Sequence, residues 1–467
     1  MNVAQWNRWL SSIQCWILLF FIVHLYGIWQ PPIEAAHSWR QATGLMVARN
    51  YFEGNTTFLY PMVDETNGGT GIIGMEFPIL YYIQGKLGLL FGFHDGIGRL
   101  INVVISTIGV AYFYALIRRF SSGKMAFYAA ILFMISSYFM YSRKVMPDTA
   151  AIALYVIGIY YFFNALNHAK WKDICLSFAF LSLGLLVKIA VLPLLGFLVF
   201  AYLFYRNRPK ISWVFMLPIL SLIPALLWYF VWNPYLSTTY GNWYNIGGSL
   251  TEGSFALVNS PINLIEQLFF HPFFSYLVWG GIVFGFYQAL KQGLSKEISF
   301  SLVTFIALFV GYALKSGQIF ITHEYYILPL VPVLAIAGGY GFAKWGKYAW
   351  VFIVLTAIEA VANQVHDFRY NRNEAYKLRL RSIGVTYIPQ DALVSINGNS
   401  NPQELYFLER RGWNLSDESM CNGKKRKSLM EQGCSYWLFN KHSMKCSAPK
   451  GQVLYNRKEY LLVKCRK

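Results

Sequence analysis

The chain has 467 residues, 56% hydrophobic and 13% charged, and its 40 Lys and Arg outnumber 22 Asp and Glu for a net charge of +18. That is far more apolar surface than one soluble core of this length needs, which excludes a wholly water-soluble enzyme and predicts a membrane protein.

A helix crossing a hydrocarbon core needs about 17 to 25 uncharged residues, because lipid offers no partner for an unpaired peptide group. Charge-free or nearly charge-free runs occupy 13–29, 101–117, 125–141, 149–167, 174–187, 189–205, 211–232, 273–290, 298–314, 325–343 and 348–364, which predicts about eleven spans. The first run is followed by Trp29, Gln30, Pro31 and Pro32 where a small-residue cleavage site would stand, and so reads as a retained anchor.

Lys and Arg collect in alternate short loops: Arg118, Arg119 and Lys124; Lys170 and Lys172; Arg206, Arg208 and Lys210; Lys291 and Lys296; Lys344 and Lys347. Those loops are expected to be cytoplasmic. The segment 233–272 has no Lys or Arg and is expected outside. The membrane domain is then 1–365, with its first outer loop at 30–98, and a tail from 366 to 467 lies on the outer side. The segment 77–93 is apolar but carries Lys86, whose cost at mid-membrane is about 2.5 to 3.5 kcal/mol. It reads as an interfacial helix that buries Phe77, Leu80, Ile83 and Leu87 and keeps Lys86 among the headgroups.

Ionisable residues gather at the outer side. The first outer loop holds Glu34, His37, Arg40, Gln41, Arg49, Asp64, Glu65 and Glu76, and the next outer loop places Arg143, Lys144 and Asp148 at the mouth of two spans. Lys188 follows an uncharged stretch at another outer turn, where a Lys suits an anion partner, and His323, Glu324, Tyr325 and Tyr326 open the tenth span. Together they supply carboxylates to take an acceptor's proton and cations to stabilise a departing phosphate, which is what sugar transfer from a lipid phosphate needs. No His, Cys and Asp set has a recognisable metal-ligand spacing, so no cofactor is required, while acidic groups near a phosphate leave room for Mg²⁺ or Mn²⁺.

The order of these features, with HSWRQATGLMVARNYF, YPMVD and EFPILYYI in the first loop, resembles the GT-C superfamily of membrane glycosyltransferases. More narrowly, it is similar to bacterial relatives of protein O-mannosyltransferases and lipid A aminoarabinose transferases, over about residues 10–365. The resemblance implies a polytopic α-helical GT-C-like protein of the bacterial inner membrane. It implies inverting transfer of a hexosyl or pentosyl group from a polyprenyl-phosphate (undecaprenyl-phosphate) donor to a periplasmic glycan, lipid or protein, with an acidic residue of the first loop as base. Better-known members carry an Asp-Glu pair where this chain has Arg40 and Gln41, so Asp64 and Glu76 become the leading candidates for the base, with Glu34 and His37 competing. Asp148 and Lys188 match an outer Asp and Lys of the family, and Lys188 with Arg40 or Arg143 is expected on the donor phosphate. A surface-glycan polymerase or ligase with a pyrophosphate-linked donor is the nearest rival. A transporter fits less well, because the charges gather at one face and no repeat is evident.

In the tail, strand-like runs LVSI, SYWLF and YLLVKC alternate with helix-like stretches and predict a small periplasmic α/β domain. Its Cys421, Cys434, Cys446 and Cys465 are expected to form two disulfides in an oxidising compartment. The basic run Lys424, Lys425, Arg426 and Lys427 faces outside, which rules out nucleic acid as its partner.

Overall fold

The structure, a computed structural model, describes residues 12–207, 209–241 and 247–465. Arg208, one of the cations expected to face inward, lies outside the described residues, as do residues 242–246 of the Lys- and Arg-free segment.

Each of the eleven apolar runs contains helix, although residues 25–29 and 273–277 lie in turns. Among the described residues six are long and apolar enough to cross a bilayer: Asp95–Phe120, Asp148–His168, Trp213–Tyr240, Lys296–Ser316, Glu324–Lys344 and Gly346–Phe368. This is a multi-pass membrane protein. The other runs form shorter or interrupted helices, and for these a crossing is an expectation from the sequence. One interruption is Ser136, whose extended backbone (ψ −174°) separates Gly123–Ile135 from Ser137–Tyr141. Its hydroxyl accepts from the Tyr138 amide and starts the next helix.

The chain divides into two compact units, the described parts of Met1–Ile28, Arg99–Phe230 and Asn245–Phe368, and those of Trp29–Gly98, Val231–Tyr244 and Arg369–Lys467. In the first unit, helices approach through small residues. A Cβ on Gly285 would run into the Ala337 carbonyl, and one on Gly341 into that of Gly281, so glycine lets Val278–Gln292 and Val331–Lys344 meet backbone to backbone. Phe300, Val303, Ile306 and Val310 recur at helical spacing along Lys296–Ser316 and are exposed, as a stripe facing lipid would be.

The second unit joins the first outer loop to the tail. Its sheet has strands β1 (Leu393–Ile396), β2 (Gly412–Asn414), β3 (Cys434–Asn440), β4 (Gln452–Asn456) and β5 (Tyr460–Lys464), in the order β2-β1-β3-β5-β4. The β1 strand runs parallel to β2 and β3, while β5 is antiparallel to β3 and β4. The three expected strand runs are β1, β3 and β5. The exposed edge of β2 is covered by the outer loop: the Gly412 amide donates to the Asp64 carbonyl at 2.9 Å, and the Thr66 amide donates to the Gly412 carbonyl at 2.8 Å. Beneath the sheet pack Trp413, Met420, Leu429, Trp437, Phe439 and Val463.

One expectation is corrected here. Only Cys421 and Cys446 form a disulfide, while Cys434 and Cys465 are buried thiols that pack in the apolar cluster under the sheet. Burial pushes the Cys434 thiol up to about 12, and that of Cys465 in the same direction. An even cysteine count cannot distinguish a cross-link from a small hydrophobe. The segment 77–93 forms the helix Ile79–Phe91, about 20 Å long by helical rise and too short to cross alone. Within the protein it buries Tyr81, Gln84, Gly85 and Gly88, with Gly85 against the backbone of Ala48 and the side chain of Tyr51. Ile83, Leu89, Leu90 and Phe91 point outward, and Lys86 stays exposed, 5.2 Å over the Tyr82 ring.

Candidate active site

The expected site residues form two clusters, one within each unit. In the second unit the organising element is the helix Ser38–Glu53. It begins after His37, whose φ of 59° is left-handed and unusual for a residue with a Cβ, and it ends at Gly54, where φ is 76°. Arg40 forms an ion pair with Glu76, and the Tyr81 hydroxyl donates to the same oxygen, Oε1, at 2.7 Å. Gln41 donates to the Glu34 carboxylate at 2.9 Å, while Ser38 donates to the Glu34 carbonyl at 2.7 Å. Both carboxylates are buried, at 3% exposure each. Consecutive residues of one helix thus each hold a carboxylate supplied by a neighbouring segment, at the positions where the resembled family carries its own acidic pair.

About two and a half helical turns farther, Arg49 pairs with Asp64 Oδ2, and Asn50 donates to Oδ1 at 3.0 Å. Arg49 also donates to the Tyr406 carbonyl at 2.8 Å and lies 4.8 Å over the Tyr406 ring. Burial pulls the Arg49 guanidinium down, but Asp64, Tyr406 and Glu409 more than offset it and hold it above its ordinary value. Both oxygens of Asp64 are therefore engaged by buried donors, and this carboxylate ties the outer loop to the helix and the tail.

The first unit gathers Asp148, Lys188, His323, Glu324 and Tyr325. Asp148 opens the helix Asp148–His168 after Pro147, where the positive helix end favours an anion. Lys188 interrupts the chain between Trp171–Val187 and the tight turn Ile189–Leu194, with an extended backbone at φ −157° and ψ 113°. Its ammonium is 3.3 Å from Asp148 Oδ1 and 5.5 and 5.7 Å over the rings of Tyr325 and Tyr326. Asp148 Oδ2 is buried and has no hydrogen-bond partner among the described residues.

Around this pair, Tyr326 stacks on Tyr312 at 5.8 Å, and Tyr325 meets Tyr141 edge-on at 5.8 Å. The Tyr141 hydroxyl donates to Glu324 at 3.3 Å, and His323 lies with its ring 5.5 Å from Tyr325. Asn102 donates to the carbonyls of Tyr141 and Lys144 at 3.1 and 2.8 Å and so fixes the loop that carries Asp148.

Arg143 and Lys144 turn elsewhere. Arg143 donates to the Tyr26 carbonyl at 2.8 Å and stacks 4.3 Å over Phe368, and Lys144 is 2.6 Å from Asp367 in a fully buried ion pair. Two participants were missed by sequence reasoning. Tyr81 was hidden inside an apolar run. His271 stands 3.9 Å from Glu324, and burial lowers its pKa; it was passed over as part of a long aromatic segment without Lys or Arg.

Among the described residues, no three of His, Cys, Asp and Glu gather as a metal-ion set. Residues 76–234 match the family model described as dolichyl-phosphate-mannose-protein mannosyltransferase. No curated protein matches the sequence. Solved structures do match. ArnT from Cupriavidus metallidurans bound to undecaprenyl phosphate is 13% identical, with a TM-score of 0.64, covering 97% of this chain and 98% of its own. The Archaeoglobus fulgidus oligosaccharyltransferase in complex with Zn and sulfate is 12% identical, with a TM-score of 0.59, over 91% of this chain and 67% of its own. The archaeal oligosaccharyltransferase AglB from Archaeoglobus fulgidus, in complex with an inhibitory peptide and a dolichol-phosphate, matches at 12% identity and a TM-score of 0.54, over 91% and 69%. The chain has the GT-C fold, the architecture of the membrane glycosyltransferases that these proteins represent.

Proposed function

We propose that this protein is a glycosyltransferase that moves a sugar from a polyprenyl-phosphate donor to an acceptor on the periplasmic side of the inner membrane. The observation that carries the reading is Lys188, a cation set at a chain break over two tyrosine rings and oriented by a buried carboxylate. The undecaprenyl phosphate in ArnT and the dolichol-phosphate in AglB support a lipid phosphate as its partner.

Lys188 stabilises the negative charge that builds on the phosphate as the glycosidic bond breaks. Asp148 positions Lys188. It is a poor base for the same displacement, because in an inverting reaction the base and the leaving phosphate lie on opposite faces of the sugar. A carboxylate 3.3 Å from the phosphate-binding ammonium stands on the leaving-group side. The family resemblance implies an acidic residue of the first outer loop as the base. Asp64 has both oxygens occupied, which leaves Glu76 as our assignment, oriented by Arg40 and Tyr81, with Glu34 as its comparator. In this reading Arg40 acts on Glu76 and not on the donor. A divalent cation is not needed for any of these roles, and one added to the assay tests the point directly.

The test is transfer of labelled sugar from synthetic polyprenyl-phosphate donors by the purified protein. Consumption of a monophosphate donor with a covalent glycosylated product is the expected result. Consumption of only a pyrophosphate-linked glycan would make the protein a polymerase or ligase, and movement of lipid across liposomes without any product would make it a transporter.

A further inference from the structure

The first unit also contains a cavity of about 420 Å³ that none of these roles uses. It is lined by Phe120, Phe163, Phe197, Phe200, Phe286 and Phe305 together with aliphatic side chains. Its polar lining groups are satisfied within the wall: the Tyr340 hydroxyl donates to Gln292 at 2.7 Å, Ser301 donates to the Gly196 carbonyl, and Ser121 donates to that of Ile117 at 2.8 Å. A cavity of this kind has nothing to hold water and suits a hydrocarbon chain.

The cavity shares Phe120, Ser121, Phe200 and Ile298 with an open mouth, where Arg118, Arg119 and Glu297 are added. Arg118 is exposed and donates to the Ser121 carbonyl at 3.2 Å. Arg119 bonds Asn164 and lies 5.2 Å over the Tyr160 ring, but its Nη1 is buried without a hydrogen-bond partner among the described residues. The Arg119 side chain as a whole is only part-buried and lines the mouth, and a phosphate oxygen is a natural acceptor for its guanidinium N–H groups. Arg118 and Arg119 belong to a loop read as cytoplasmic from its positive charge, where anionic headgroups are found.

We propose that this cavity and its mouth bind one anionic phospholipid from the inner leaflet, with an acyl chain among the phenylalanines and the phosphodiester at Arg118 and Arg119. The two arginines and Glu297 give the mouth a net charge of one, which suits a singly charged diester better than the doubly charged monophosphate of a polyprenyl carrier. The site is independent of the proposed glycosyl transfer, and so is its test.

Native mass spectrometry of the detergent-purified full chain, titrated with phosphatidylglycerol, phosphatidylcholine of the same chains and polyprenyl monophosphate, reads the occupancy. One phosphatidylglycerol should be retained about tenfold more tightly than phosphatidylcholine. Arg118→Gln, at an exposed position that leaves the packed Arg119 in place, should weaken that preference. Ala289→Phe, which fills the cavity, should lose both phospholipids. Equal retention of the two phospholipids, an unchanged preference in Arg118→Gln, retention by Ala289→Phe, or one-for-one displacement by polyprenyl monophosphate would each overturn the proposal. Size-exclusion and circular dichroism establish that the variants are folded before the lipid readings are compared.

Discussion

Asp64 in the second unit and Asp148 in the first are both buried carboxylates facing a cation, yet they are arranged differently. Asp64 receives Arg49 on one oxygen and Asn50 on the other, while Asp148 holds Lys188 with one oxygen and leaves its second without a hydrogen-bond partner among the described residues. A buried carboxylate with both oxygens engaged is expensive to disturb, because removing one partner strands the other. A buried charge with an unmatched oxygen is costly to keep and is better explained by a task. In the reading proposed above, the same residue type is assigned two jobs.

The comparison is tested most strongly through transfer chemistry. Glu76→Gln is expected to lower kcat by about 10² to 10⁴, the usual range for a general base, while donor binding persists. Lys188→Met is expected to weaken donor binding as well as turnover, a split that the labelled-sugar assay resolves through kcat and KM. Next, Asp64→Asn is expected to destabilise the fold by about 3 kcal/mol or more by stranding Arg49, with activity falling only as folded protein is lost. Thermal unfolding should separate it from Asp148→Asn, which is expected to lose transfer with little change in Tm. If Asp148→Asn unfolds the protein and Asp64→Asn does not, the two assignments are reversed.

Smaller effects are expected in the tail. Opening the Cys421–Cys446 bond by Cys421→Ser should cost about 3 kcal/mol from the freed loop, with no effect from Cys434→Ala beyond its lost packing. The smallest concerns pH. Burial raises the Glu404 carboxyl above its ordinary value, although the Tyr460 hydroxyl, Lys377 and Asn440 act in the opposite direction. A raised pKa in the folded state means that folding favours the protonated form. That contribution is complete below the ordinary value near 4.5 and is lost as pH rises through the folded value. Glu404 Oε2 and Asn414 Oδ1 are both buried acceptors without partners among the described residues, and Gly398 lies against both. Glu404→Gln supplies a permanent donor and is expected to flatten the pH dependence of amide exchange in β3 and β5 of the full chain.

Much of the architecture was legible because lipid imposes a local rule. Any segment that crosses must be apolar along its whole length, so a run such as 149–167 announces its helix without reference to the rest of the chain. Strands β1, β3 and β5 were equally visible from β-branched and aromatic runs bounded by turn residues. The Ile79–Phe91 helix was legible, while the face it packs within the protein was not. Its contact is made by Gly85 and Gly88 against Ser38–Glu53, and close approach by glycine leaves no hydrophobic signal. The single disulfide escaped for a related reason, since four cysteines have the same composition whether they are paired or packed.

The site was legible as a list of residues and not as an arrangement. Glu34, Arg40, Gln41, Glu76, Asp148, Lys188 and Tyr325 could each be nominated from residue type and position, because charge at the edge of apolar runs is rare. Which carboxylate meets which cation was beyond the sequence, since Arg40 reaches Glu76 and Lys188 reaches Asp148 across intervening elements. By itself the sequence determined that this is a membrane protein of helical spans with ionisable residues at the edges of its apolar runs and an α/β tail, because those properties follow from local composition and period. The tertiary structure alone decided that Asp64 meets Arg49 and Asn50, that Asp148 meets Lys188, and that Arg143 and Lys144 meet Phe368 and Asp367, because the partners of a buried charge are set by segments distant in sequence.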